Sequence, residues 1–232
     1  MNHSFISSPQ FFTMPITLSP SSIGLFLDCP RCFWLQVVKG IKRPEMHFPG
    51  LPRGMDRILK EHFDKHRELG STPEELDAGK LGIRLFPDLK KLNEWRDRWK
   101  GLRFKDEQTG ISLMGAIDDL LVTDSGHYAP LDFKTRGEPR KEDTHEWSQH
   151  QMDIYSLLLE KNGMQPAGFA ILLFYHPKCV TKSCHVEFTA EPFKIKTSTE
   201  KGEEVFRKAV ECVLGKEEPE RGRECEFCGW GK

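Results

Sequence analysis

The sequence predicts a mixed α/β fold in which helices flank a central sheet. Segments with helical spacing of apolar residues come first, up to about residue 100, and segments with strand-like alternation follow them. A long helical segment then precedes a continuous apolar run, Phe169 to Tyr175, which is typical of a strand buried on both faces. A last amphipathic segment completes an order of helices, strands, a helix, strands and a helix, which favours the α/β class.

The N-terminal elements are predicted from capping residues and breakers. We expect residues 1–18 to be a leader and a single domain to span 19–232. The pair Ser19-Pro20 is typical of a helix start. The remaining predictions for this half are a loop over Gly40 to Pro52, a helix over Arg53 to Leu69 and a basic helix over Asp88 to Lys100.

The period of the apolar pattern then changes from helix to strand. A helix is predicted from Glu142 to Asn162, with Asp143 and Glu146 in a capping-box pattern, and another opens at Thr199. The predicted strands are Leu102 to Lys105, Ile111 to Val122, His127 to Phe133, Phe169 to Tyr175, Cys184 to Phe188 and Pro192 to Lys196.

The composition is that of a globular chain and excludes several classes of protein. The 232 residues are 38% apolar and 30% charged, and the net charge is -1, so the chain is not a uniformly basic nucleic-acid coat. The longest apolar run, Phe169 to Tyr175, is far shorter than the roughly 20 residues that a membrane span needs. The N-terminus shows no secretory signal pattern. We therefore expect a cytoplasmic protein without a membrane partner.

Charge is nevertheless concentrated locally. The stretch from Lys80 to Lys105 has nine basic and three acidic residues, with Trp95 and Trp99 interleaved. Such a stretch is able to follow the phosphates of a nucleic acid. A solvated helix face with an aromatic core side explains the pattern equally well.

Four of the seven cysteines form two C-x-x-C pairs, Cys29 with Cys32 and Cys225 with Cys228. Nothing indicates secretion, so a disulfide framework is not expected. Four thiolates in two such pairs indicate one tetrahedral site for zinc or an iron–sulfur cluster. Nearly the whole chain separates the pairs, so a shared site would join the two chain ends. The alternative is four ordinary buried thiols.

An acid and a lysine interrupt an otherwise apolar strand. Asp132 and Lys134 are two residues apart and share one face of it, and Asp118 and Asp119 end the preceding strand. Burying such groups is costly unless they pair or bind something. Two carboxylates are able to hold Mg²⁺ or Mn²⁺, and a lysine beside them to orient or deprotonate a water at the metal. The alternatives are a strand end entering a turn and a cross-strand salt bridge.

The next helix has Gln151 and Tyr155 four residues apart, on one face. Their amide and hydroxyl groups would hold a phosphate or brace Lys134. Ordinary helix surface is the alternative.

Gly115-x-x-Asp118, Asp132-x-Lys134 and Gln151-x-x-x-Tyr155, in this order, resemble the PD-(D/E)xK nuclease superfamily. The branch with RecB-like and CRISPR-associated exonucleases is the most similar, over about Ser19 to Trp230. The resemblance implies a restriction-endonuclease-like sheet core over 51–214. It also implies a helical lobe, made from 19–50 and 215–232 and pinned by the cysteine cluster.

In that branch cysteines from both ends of the domain hold a 4Fe–4S cluster. The relatives usually take one cysteine from the N-terminal side and three from the C-terminal side. Here Cys29, Cys32, Cys225 and Cys228 divide two and two, which leaves zinc open.

The resemblance further implies a metal-dependent DNA nuclease that hydrolyses phosphodiester bonds, as an exonuclease or end-processing enzyme on single-stranded DNA. Asp118, Asp132 and the backbone carbonyl of Phe133 would hold Mg²⁺ or Mn²⁺. Lys134 would position the attacking water. Gln151, Tyr155 and Trp34 would contact the substrate strand.

The family's metal-ligating histidine on the helix before the sheet has no direct counterpart. Asp56 occupies the equivalent place by order and is the preferred third ligand, and His62 is its competitor. A protein partner in repair or CRISPR adaptation is also implied. Two other readings remain: a non-catalytic DNA-binding module of a nuclease complex, and a structural or redox metal protein in which only the cysteines matter.

Overall fold

The computed structural model of the chain describes residues 15–44 and 50–229. A short 3₁₀ turn, Glu74–Leu76, precedes the fourth helix. The helices are α1 (Pro20–Asp28), α2 (Pro30–Lys39), α3 (Gly50–Glu68), α4 (Ala78–Leu81), α5 (Leu89–Arg96), α6 (Glu146–Lys161), α7 (Thr199–Leu214) and α8 (Glu226–Gly229). None of the helices in these ranges is long and apolar enough to cross a membrane.

The strands form two sheets. One has the order β1-β4-β3 and the other the order β2-β5-β6-β7-β8. Parallel pairing joins β1 to β4 and β6 to β7, and the remaining pairs are antiparallel. The strands are β1 (Thr17–Leu18), β2 (Ile83–Leu85), β3 (Leu102–Lys105), β4 (Ser112–Gly115), β5 (Asp119–Thr123), β6 (Tyr128–Thr135), β7 (Phe169–Val180) and β8 (Val186–Lys196).

The five-stranded sheet separates two apolar cores, because successive side chains of a strand point to opposite faces. Phe133 of β6 faces α3, and its ring centroid lies 4.9 Å from that of Phe63. Leu172 and Phe174 of β7 face the other core, which α6 and α7 share. Helices therefore cover both faces of a mixed sheet, which confirms the predicted fold class.

The predicted strand from Ile111 to Val122 is in fact two strands, so that prediction is wrong. β4 ends at Gly115 in the three-stranded sheet, and β5 begins at Asp119 in the five-stranded sheet. The chain leaves one sheet and joins the other between them, and it bends at Asp118. This bend places Asp118 outside any strand.

The β-hairpin of β7 and β8 differs from the prediction in the opposite way. β8 is continuous, although two separate strands were predicted over Cys184 to Phe188 and Pro192 to Lys196. Pro192 lies opposite Leu173 within the pairing. The strand tolerates a proline because β8 is at the edge of the sheet, where one side needs no partner. The three-residue strand β2 was not predicted.

Helix ends follow the local hydrogen bonds. Ser19 caps α1 as predicted, and its Oγ accepts from the Ser22 N–H. The predicted cap at Asp143 is wrong, since α6 begins at Glu146 after a His145 that makes no side-chain cap. The basic helix α5 ends at Arg96, because the Asp97 side chain accepts from the backbone of Trp99 and turns the chain.

The termini form the predicted helical lobe. The chain passes from α1 into α2 at Cys29, whose side chain accepts from the Cys32 N–H at 3.5 Å. The segment before α8 packs on this junction, where the Gly222 N–H donates to Cys29 Sγ. Most of the predicted leader, 1–14, and also 45–49 and Trp230, lie outside the described residues. Thr17 and Leu18, at the end of that leader, form β1.

Candidate functional site

The candidate site lies where β6 leaves the core between α3 and α6. Asp132 and Lys134 share one face of β6, as their spacing predicts, and Lys134 Nζ lies 2.6 Å from Asp132 Oδ2. Asp132 is only 3% exposed. Its Oδ2 is buried, and the Lys134 ammonium is the contact that the described chain gives it, which leaves one of its lone pairs without a partner there. A buried carboxylate oxygen in this state has capacity for a further ligand.

Asp118 lies beside this pair. Its Oδ2 accepts from the backbone N–H of Phe133 at 3.1 Å, and its Oδ1 lies 2.9 Å from Lys60 Nζ on α3. Arg96 Nε donates to the backbone carbonyl of Asp118 at 2.7 Å, which fixes the bend. Asp118 therefore lies at the peptide of Phe133, the residue next to Asp132 in β6, and close enough for its charge to act on the Asp132 carboxyl.

Asp119 has a different environment although it is the next residue. It is fully buried and forms ion pairs with Arg67 of α3 and with Arg96 of α5, the latter at 2.9 Å. Its backbone neighbour in the register is Leu131, which faces the α3 core. Asp119 therefore joins the sheet to two helices and takes no part in the site.

Gln151 connects the acid and the lysine. Its Oε1 accepts from Lys134 Nζ at 3.1 Å, and its Nε2 donates to Asp132 Oδ1 at 2.9 Å and to Tyr155 Oη at 3.0 Å. The ammonium has only donors and the carboxylate only acceptors, so this amide orientation alone satisfies both. The Tyr155 hydroxyl then donates to the Ala116 carbonyl at 2.7 Å.

Steric crowding explains why the first motif has glycine at position 115. A Cβ at Gly115 would lie 2.9 Å from Tyr155 Cε1 and 2.8 Å from Leu158 Cδ1. Contacts this short do not occur between real side chains, so a larger residue would displace Tyr155 from Ala116.

Burial sets the protonation of the site. Burial, reinforced by the nearby negative charge of Asp118, raises the pKa of Asp132 to about 6, against the opposing effect of Lys134. Burial beside Asp132 and Asp118 also raises the pKa of Tyr155 well above its ordinary value. The phenol therefore remains a hydrogen-bond donor at neutral pH.

The four predicted cysteines also come together. Sγ–Sγ distances are 3.6 Å for Cys29 with Cys228, 3.6 Å for Cys32 with Cys225 and 3.3 Å for Cys32 with Cys228, and all four sulfurs lie within 4.8 Å of one another. No other group of His, Cys, Asp or Glu in the described ranges is gathered as tightly.

Donors surround the sulfurs. The Gly222 N–H lies 3.2 Å from Cys29 Sγ, and Arg43 Nη2 lies 3.2 Å from Cys225 Sγ. Burial alone would raise the pKa of Cys29, but the backbone N–H groups of Gly222 and Cys32 prevail and lower it to about 6. Arg43 also pairs with Asp28 at 2.6 Å, so one cation ties this cluster to the end of α1.

Comparisons with known proteins agree with this arrangement of motifs. A family profile described as the PD-(D/E)XK nuclease superfamily matches residues 17–232. The chain belongs to the PD-(D/E)XK nuclease superfamily. A solved structure described as "Crystal structure of SSO0001" is similar with a TM-score of 0.46 and 14% identity, over 94% of this chain and 85% of that one. No curated protein matches.

Members of the PD-(D/E)XK superfamily use divalent metals, and α3 adds a third carboxylate near the pair. Lys60 Nζ bridges Asp56 Oδ1 and Asp118 Oδ1, at 2.9 Å from each. His62 instead lies 3.0 Å from Glu75 Oε1. Asp56 therefore lies nearer the site than its competitor, and its role as a ligand stays a prediction. Sequence reasoning missed Lys60, although its place one turn after Asp56 was a usable signal.

Two predicted strand contacts of this PD-(D/E)XK chain have different surroundings. Trp34 is only 5% exposed, so little of its ring is available to a substrate strand, and its contact with the strand stays a prediction. The residues of the basic stretch from Lys80 to Lys105 differ in their surroundings. Arg96 forms ion pairs with Asp64 and Asp119, and Trp95 is buried. Trp99 remains exposed beside the Arg98 guanidinium.

Proposed function

We propose that the protein is a metal-dependent DNA nuclease that hydrolyses phosphodiester bonds, acting on single-stranded DNA as an exonuclease or in end processing. One observation carries the proposal. The buried Asp132 carboxylate is paired with Lys134 through Oδ2, and a second carboxylate, Asp118, accepts from the Phe133 N–H beside it. The lysine occupies one lone pair of Oδ2, and a metal ion would take the other.

The donor set fits a hard divalent cation. Asp118, Asp132, the Phe133 carbonyl and Asp56 would hold Mg²⁺ or Mn²⁺, which prefer oxygen ligands. When bound, the ion neutralises charge on the scissile phosphate and lowers the pKa of water. The Lys60 ammonium between Asp56 and Asp118 balances their charge, and it would have to give way or share these oxygens.

The neighbouring side chains support hydrolysis by position. Lys134 is held between Asp132 and the Gln151 amide, so its ammonium keeps one direction towards the attacking water and the developing negative charge. Tyr155 and Gln151 form a chain that ends on the fixed Ala116 carbonyl. We propose that this chain braces Lys134 and that Gln151 also faces the strand.

For the four cysteines we propose one structural zinc ion. A tetrahedral zinc with Zn–S bonds of about 2.3 Å separates its sulfurs by about 3.8 Å. In a 4Fe–4S cluster each thiolate binds a different iron, so the thiolate sulfurs lie farther apart than they do around a single ion. The sulfur–sulfur distances of 3.3 to 3.6 Å, with every pair within 4.8 Å, are nearer to those around a single ion, and this nearness supports the proposal. They favour the zinc alternative over the iron–sulfur expectation.

The narrower assignments rest on the resemblance alone. We propose a RecB-like or CRISPR-associated branch, a DNA substrate with a free end, a partner in repair or CRISPR adaptation, and a cytoplasmic location.

The test is cleavage of end-labelled single-stranded and duplex DNA with Mg²⁺, Mn²⁺ or a chelator. Wild type should cut with metal only, and Lys134→Met should be at least about a hundredfold slower, the usual scale for a group that positions the reactants. Lys182→Met, an exposed lysine in the β7–β8 turn, is the matched control and should cut like wild type. Cleavage by Lys134→Met at the wild-type rate overturns the proposal. DNA retention without cleavage by wild type supports the binding-module alternative.

A further inference from the structure

Arg136 is a cation at the edge of the site that forms no ion pair with any of the described residues. It follows β6 directly, and its backbone N–H continues the pairing by donating to the Tyr175 carbonyl at 2.8 Å. Alternation along a strand therefore puts its side chain on the face of Asp132 and Lys134. Its Nε is buried and has no hydrogen-bond partner in the described chain. The nearby Arg140, in contrast, has Glu191 at 3.9 Å and stacks on Phe193.

Trp147 is a large aromatic side chain left in solvent. It is 85% exposed, in the first turn of α6. Gln151 and Tyr155 follow it by four and eight residues, so the three lie on one face of the helix. Packing on the core does not explain a tryptophan here, since its side chain lies almost wholly in solvent.

The rise of a helix and of a strand lets the relative height of Arg136 and Trp147 above the site be inferred. β6, α6 and β7 form a parallel crossover unit, in which the helix runs against the strands. Gln151 touches both Asp132 and Lys134, and Tyr155 lies on the Ala116 side of them. Trp147 lies four residues before Gln151, which is a rise of about 6 Å along α6 towards the end of β6. Arg136 lies two residues after Lys134, which is a rise of about 6.6 Å in the direction of β6, so both residues lie beyond the site by a similar distance.

We propose that Arg136 and Trp147 form a subsite for one nucleotide of a single strand, next to the scissile phosphate. The Arg136 guanidinium binds the backbone phosphate and the Trp147 indole stacks on the base. This rests on the proposed nuclease function and deepens it, because it assigns the strand preference to two residues. A guanidinium is suited to a phosphate, and an exposed indole to the π-face of any base.

The subsite selects single strands for a physical reason. A base within a duplex has both faces covered by its neighbours, so it offers none to Trp147 unless it is unstacked at a cost. An unpaired base is free to stack and has no such cost. Stacking does not read base identity, so the subsite has no sequence preference.

The test is binding of a short oligothymidylate, and of an abasic backbone of equal length, to the full-length protein with Ca²⁺, followed by fluorescence anisotropy. Trp147→Ala should weaken oligothymidylate binding about 5- to 150-fold and leave the abasic strand unaffected, while Trp147→Phe should retain most affinity. Arg136→Met should weaken both probes and reduce the slope of log K against log salt by about 0.7. Lys182→Met is the exposed-cation control.

The outcomes separate the subsite from the nuclease activity. Wild-type affinity in Trp147→Ala and Arg136→Met, with metal-dependent cleavage intact, rejects the subsite and leaves the function standing. Loss of affinity for both probes in Trp147→Ala also rejects base stacking. The predicted binding pattern in a wild type that does not cleave supports the subsite and rejects the nuclease proposal.

Discussion

Single residues in this protein differ in role more than their sequence neighbours suggest. Asp118 and Asp119 are adjacent acids, yet one faces the candidate metal position and the other lies fully buried between Arg67 and Arg96. The bend between the two sheets causes the divergence, since the side chains leave the backbone in different directions. The sequence alone shows two adjacent acids and does not tell their roles apart, because the role of Asp119 depends on arginines from α3 and α5.

Asparagine at each position should separate the two roles. Asp119→Asn leaves two buried arginines short of charge and should lower the free energy of unfolding by about 3–5 kcal/mol, or Tm by roughly 6–20 °C. Asp118→Asn removes a largely buried ion pair, but Lys60 keeps Asp56 as a partner, so the variant should lose less stability than Asp119→Asn while abolishing cleavage. Thermal unfolding and cleavage rates check both. An Asp119→Asn protein as stable as wild type contradicts the assignment.

At the scale of elements, spacing predicted the buried strand β7 and five of the described helices, α1, α3, α5, α6 and α7, but not α2, α4 or α8. It failed where two sheets meet, at Asp118, and at the edge, where β8 tolerates Pro192. Those boundaries depend on which strand lies alongside, and the local periodicity of apolar residues does not contain that information. The contact of Asp106 with Arg207 at 2.8 Å shows the same dependence, because it joins the β3–β4 turn to α7 far along the chain.

This contact should make stability depend on pH. Burial would raise the pKa of Asp106, but hydrogen bonds from Thr109 and Arg207 outweigh it and the pKa is lowered. The folded state then favours the carboxylate, so the stabilisation is present above the ordinary pKa of 3.8 and is lost as pH falls through the lower folded value. Asp106→Asn should cost about 1.5 kcal/mol at pH 7.

Urea unfolding of wild type and Asp106→Asn checks this. The gap between their free energies of unfolding should narrow as the pH is lowered below 3.8. A gap that stays constant with pH would mean that the side chain contributes by shape and not by charge.

At the scale of the whole molecule, the cysteine cluster joins the two ends of the domain. Cys29 and Cys32 reach Cys225 and Cys228 across nearly the whole sequence, so a metal there closes a very long loop. The two C-x-x-C pairs predicted this contact from the sequence, because a tetrahedral metal site takes four ligands and each pair supplies two. The metal's identity was not predictable, since it depends on sulfur distances.

Metal analysis of the purified protein should give one zinc per chain and no visible iron–sulfur absorption. Cys228→Ser should lose the zinc and lower Tm, since binding free energy is folding free energy at such a site. Cys179→Ser, an exposed cysteine outside the cluster, is the control and should retain both. Stoichiometric iron and sulfide in anaerobically purified protein would contradict the zinc assignment.

The central claim is that Asp118 and Asp132 hold a divalent metal beside Lys134. Mn²⁺ binding to the zinc-loaded protein without DNA, followed by electron paramagnetic resonance, tests it most directly. Wild type should bind Mn²⁺, and Asp132→Asn should bind it at least about tenfold more weakly, because it loses a charged oxygen ligand. Equal Mn²⁺ affinity in wild type and Asp132→Asn would show that these carboxylates form a structural ion pair and not a metal centre.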